Sequence, residues 1–94
     1  PSGPGGQVDP RFVQLSRILK TPIESDAAAR AAVSARPSQL ADQLFLEAVA
    51  SDDVTSADAA LAYLQLRLGY FSGLVSPAAA AAIRARFAER VSAW

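Results

Sequence analysis

The sequence predicts an all-α fold, a compact bundle of four to five short antiparallel helices without strands. Three observations carry that prediction. Alanine, the best helix former, supplies 21 of the 94 residues. Valine and isoleucine total ten and are scattered, so no run reads as a strand. Larger apolar residues recur at helical spacing between Asp/Ser–Pro starts and Pro or Gly stops.

Asp9-Pro10 opens the first helix, with an acceptor at the N-cap and a proline whose missing N–H costs nothing at the first helical position. This helix is expected over 10–20, with Phe12, Leu15, Ile18 and Leu19 on one face and Thr21-Pro22 ending it. Ser25 and Asp26 begin a second helix over 26–35, almost all alanine, with Val33 its one large apolar residue. Such a helix forms only by packing closely on a neighbour. Pro37 stops it, and Ser38 is the expected cap of a third helix over 39–51. Its stripe comprises Leu40, Ala41, Leu44, Phe45, Ala48 and Val49.

Thr55 or Ser56 caps a fourth helix over 56–71. Thr55 and Asp58 have the spacing of a capping box with Asp in place of Glu or Gln. Gly73 suits a left-handed C-terminal position. Ser76-Pro77 repeats the cap-plus-proline start for a fifth helix over 77–92, striped by Ala80, Ile83, Phe87, Val91 and Trp94. Residues 1–8, Pro-Ser-Gly-Pro-Gly-Gly-Gln-Val, read as a linker or expression remnant, leaving 9–94 as one domain.

Composition excludes several functions. Cysteine, histidine and methionine are all absent, which removes disulfides, Cys/His zinc sites, haem ligation and any nucleophile that depends on a histidine base. No cofactor or metal is expected. Nine basic residues balance nine acidic ones, so a broad electrostatic grip on nucleic acid or an anionic membrane is not the expectation. Eight arginines against one lysine, Lys20, beside abundant alanine fit the codon usage of a GC-rich genome. No apolar stretch in the sequence is long enough to span a membrane, and no leader peptide is expected. With no cysteine, a cytoplasmic location is expected. The chain opens on Pro1, and a domain excised from a longer protein is expected.

Catalytic motifs fail on spacing. Asp52-Asp53, the one adjacent pair of carboxylates, sits where acids favour the following helix N-terminus. With Asp58 it lacks the alternating oxygens and central glycine of a calcium loop. No glycine-rich loop follows a strand. An enzyme is not expected.

The fourth helix carries two apolar stripes. Ala57, Leu61, Leu64, Leu68 and Phe71 form one; Ala59, Tyr63, Leu66 and Tyr70 form the other. A helix apolar all round is either central in its domain or covered on one side by a partner. Tyrosine, with an apolar body and a polar tip, suits the second alternative. The following segment, Tyr70-Phe71-Ser72-Gly73-Leu74-Val75, either seals the bundle or forms an exposed patch.

Charge is segregated: residues 1–36 carry net +2, residues 37–66 net −5 and residues 67–94 net +3. This implies either neutralisation between the third helix and its neighbours or a two-signed surface that orients assembly. The functional expectation is a protein-interaction or oligomerisation domain. Tyr63, Leu66, Tyr70, Phe71, Leu74 and Val75 bind another protein or a second copy in a possible homodimer, and Arg84, Arg86 and Arg90 orient it. The alternative is a small nucleic-acid-binding domain using those three arginines, although they straddle the apolar stripe of their helix and are placed to cover it with their stems.

Overall fold

The computed structural model describes residues 9–94; the linker expectation for 1–8 lies outside them. The described residues are 74% helical and form five helices with no strand. In chain order these are α1 (Pro10–Leu19), α2 (Asp26–Ala35), α3 (Pro37–Ala50), α4 (Ala57–Tyr70) and α5 (Pro77–Ser92). None is long and apolar enough to cross a membrane.

Local chemistry sets the ends. The Asp9 side chain accepts from Arg11 N, Ser25 from Ala28 N, Ser56 from Ala59 N and Ser76 from Ala79 N, each satisfying an orphan N–H of a first turn. One cap differs from expectation, and another decides between two candidates. Helix α3 begins at Pro37 with Arg36 as N-cap and no side-chain cap bond, so Ser38 lies inside the first turn. Pro37 both ends α2 and starts α3, leaving Arg36 as the whole joint. At α4 the cap is Ser56, not a box built on Thr55 and Asp58. Lys20 closes α1 in the left-handed region at φ 53°. The Arg36 guanidinium, donating to Thr21 Oγ1 and to Leu19 O at 3.4 Å, ties the end of α1 to the α2–α3 joint.

Helix α3 is the centre of the bundle and packs against all four other helices. It buries Leu40, Ala41, Leu44, Phe45 and Ala48 against Leu15, Ile18 and Leu19 of α1, Ala29, Ala32 and Val33 of α2, and Ala79, Ile83, Phe87 and Val91 of α5. Val49, expected in the α3 stripe, is exposed. The alanines of α2 let it approach closely, so one valine anchors the helix. Phe45 meets Phe87 edge-on at 5.7 Å and Trp94 edge-on at the same distance. Trp94 remains half exposed.

Ion pairs join the acidic middle of the chain to its basic ends. Arg17 of α1 reaches Glu47 of α3 at 2.8 Å, and Arg86 of α5 reaches Asp42 of α3 at 2.9 Å. The charge segregation of the sequence is thus neutralised in part across α3.

Candidate functional site

Helix α4 lies at the edge of the bundle. Its inner row, Ala60, Leu64 and Leu68, is buried against α3 and α5. The opposite side carries Ala59, Tyr63, Leu66 and Tyr70. Leu66 is 72% exposed, the most exposed large apolar side chain among the described residues. Ala59, Tyr63 and Tyr70 are half-buried, their bodies resting on the core.

Leu66 stands as a ridge between two open grooves. One, of about 560 Å³, runs along Gln14 of α1 and Gln65, Arg67, Gly69 and Tyr70 of α4. The other, of about 440 Å³, runs along Asp53 and Val54 of the α3–α4 loop and Ala59, Ala62 and Tyr63. Leu66 lines both.

A polar chain along this face holds the Tyr63 side chain in place. Arg17 of α1 donates to Glu47 Oε2 at 2.8 Å. The Tyr63 hydroxyl donates to Glu47 Oε1 at 3.3 Å and accepts from Arg67 Nε at 3.0 Å. The Arg67 guanidinium lies 5.1 Å from the Tyr63 ring centre and 6.0 Å from that of Tyr70, within cation–π range of both. Burial raises the Tyr63 phenol above its ordinary pKa, and the Arg67 hydrogen bond only partly opposes that shift. Among the described residues Arg67 pairs with no carboxylate, and Asp53 and Asp58 pair with no basic side chain.

The structure separates the residues expected to bind a partner. Tyr63, Leu66 and Tyr70 share the α4 face. Phe71 and Leu74 do not belong to it: their exposures are 0% and 2%. After α4 the chain reverses through Gly73 at φ 89°, with Leu74 N–H bonded to Phe71 O at 2.9 Å. That turn tucks both side chains beneath the bundle, so Phe71 and Leu74 seal its base. The Tyr70 ring sits on Phe71 at 5.0 Å. Val75 is half-buried beside a separate groove lined by Gln65, Gly69 and Arg84.

The α5 arginines also divide. Arg86 grips Asp42 through Nε at 2.9 Å and a second nitrogen at 3.3 Å, and reaches Glu89 at 3.2 Å. The Asp42 hydrogen bond raises the Arg86 pKa further. Arg90 lies 4.0 Å from Asp42 and 5.1 Å over the Phe45 ring. Arg84, which is exposed, is the one of the three outside any ion pair among the described residues.

Sequence reasoning missed Glu47 and Arg67 as supports of the face. Arg67 was readable, standing one helical turn after Tyr63. Glu47 was not, since its link to Tyr63 requires the packing of α3 on α4. No protein-family model matches the chain, and no curated protein or solved structure matches it either.

Proposed function

We propose that this domain is a non-enzymatic protein-interaction module that docks its partner on the outer face of α4. The observation behind this reading is the Leu66 ridge: a large apolar side chain left in water between two grooves, flanked by two tyrosines held in place from below. Exposed aliphatic and aromatic side chains at helical spacing suit a helical partner. Prior anchoring of Tyr63 and Arg67 lowers the ordering cost of binding. The Arg86 and Arg90 ion pairs support a structural part for those residues and weigh against the nucleic-acid alternative, which would need them free for phosphates.

The test compares wild type with Leu66→Glu as immobilised bait, followed by reconstitution of any retained pair from purified components. The expected result is a species, including the domain itself, held by wild type and lost by the variant while helicity is unchanged. Identical retention by both proteins, or none by either, overturns the reading.

A further inference from the structure

The docking face of α4 has a symmetry that selects among partners. Ala59, Tyr63, Leu66 and Tyr70 are spaced four, three and four apart, which reads the same in either direction along the helix. Reversing one copy about a point between Leu64 and Gln65 sets Tyr63 against Leu66 of the other copy, and Ala59 against Tyr70. Small meets large and ridge meets groove on both sides of the axis.

Charge follows the same axis. Exposed Asp52, Asp53 and Asp58 surround the N-terminal end of α4, while Arg67 and Arg84 lie towards its C-terminal end. Asp53 lines one groove and Arg67 the other. The reversed pairing places Arg67 opposite Ala62 of the other copy, at the groove that holds Asp53. It makes that contact twice and opposes the two helix dipoles favourably. A parallel pairing would stack acid on acid, and a peptide of one sign would complement only half of the face.

We infer that the occupant of this face is a second copy of the chain, docked antiparallel through α4 about a two-fold axis, with Arg67 of each copy paired to Asp53 of the other. This inference rests on the reading of α4 as a docking surface and goes further in naming the partner.

The test is light scattering over a concentration series with wild type, Leu66→Glu, Asp53→Arg and Arg67→Glu, each checked for helicity. Wild type is expected to dimerise and Leu66→Glu to remain monomeric. Each charge reversal should weaken self-association by roughly tenfold or more, since it makes two like-charge contacts. Mixing the two reversals should restore the dimer, because both contacts in the mixed pair are again of opposite sign.

A mixture that stays monomeric overturns the proposed geometry. So does a wild type that is monomeric throughout, which leaves the face to a different protein. A dimer indifferent to Leu66→Glu overturns the second copy at this face, and the docking face with it if capture is also unaffected. Spin labels supply a second measurement should Arg67→Glu lose helicity, and the chain has no cysteine to interfere. Labels on Ala57→Cys in both copies should be separated by about 20 Å or more, given a rise of about 1.5 Å per residue. An Ala57→Cys chain mixed with a Ser72→Cys chain should give a short distance. The opposite pattern overturns the antiparallel arrangement.

Discussion

Two truncations near one end of α4 should differ by several-fold in cost. Phe71 is 0% exposed and Leu66 is 72% exposed, although both are large, apolar and only five positions apart. Phe71→Ala removes a ring from the base of the bundle, where the turn at Gly73 holds the backbone and restricts collapse into the space. Buried Phe-to-Ala changes cost about 3–5 kcal/mol. A domain of this length has a total stability of about 5–14 kcal/mol, so the loss is a large share of it.

Leu66 has about a quarter of its surface covered, and complete burial of leucine contributes about 2 kcal/mol, so Leu66→Ala forfeits about 0.5 kcal/mol. The helix preference of alanine offsets part of that. Urea unfolding followed by circular dichroism at dilute protein measures both. With a slope of about 1 kcal/mol per molar, Phe71→Ala should move the midpoint by several molar and Leu66→Ala by less than about 1 M. Equal losses would mean that the outer face of α4 is packed within its own chain. A near-silent Phe71→Ala would mean that the turn does not seal the core. Repeating the series at high protein concentration adds a further comparison, since a dimer through α4 would raise wild-type stability but not that of Leu66→Glu.

Three further outcomes follow from the local chemistry. Ser56→Ala should cost about 1 kcal/mol and Thr55→Ala within about 0.5 kcal/mol, because Ser56 caps α4; denaturant midpoints separate the two. Gly73→Ala should destabilise by about 1–2 kcal/mol, since its φ of 89° is hostile to a Cβ. Gly69→Ala, in a helix with open space around the new methyl, should stabilise by about 0.5–1 kcal/mol; a thermal melt of each reads the sign. Finally, Tyr63 keeps its proton to higher pH in the folded state than in the unfolded chain. Its contribution is therefore intact below about pH 10 and is lost as pH rises through the raised value, and Tyr63→Phe should flatten that alkaline decline in an unfolding series. An unchanged slope would show that other groups cause the decline.

Most of the fold is legible because its punctuation is local. Asp9-Pro10, Ser25 and Ser76-Pro77 each signal a helix start within a few residues, and α2 and α5 begin and end where the sequence places them. Errors and open alternatives arise where two local signals compete. Ser38 has the chemistry of a cap, but Pro37 beside it can itself be a first helical residue, and one joint serves both helices. Thr55 and Ser56 offer the same hydroxyl one position apart, and only the path of the loop decides between them.

The site is less legible for a different reason. Phe71 shares a stripe with Leu64 and Leu68, which is legible, whereas the side that Leu74 faces depends on the positive φ at Gly73. The two stripes of α4 likewise do not reveal which helix is central. That place falls to α3, whose acids Asp42 and Glu47 are reached by arginines from α5 and α1. Charges distant in the chain therefore mark the centre better than hydrophobicity does.

One contact couples the entry of the domain to its far turn. Arg11, in the first turn of α1, holds Asp9 at 2.7 Å and also donates to Ser72 O at 3.0 Å, across 61 positions of chain. Asp9 sits below its ordinary pKa because of that arginine, so the clasp is ionised on both sides at neutral pH. Arg11 therefore joins the first turn of α1 to the backbone that follows Tyr70. Fraying of the first turn of α1 takes that hydrogen bond away and leaves the foot of α4 with one tether fewer.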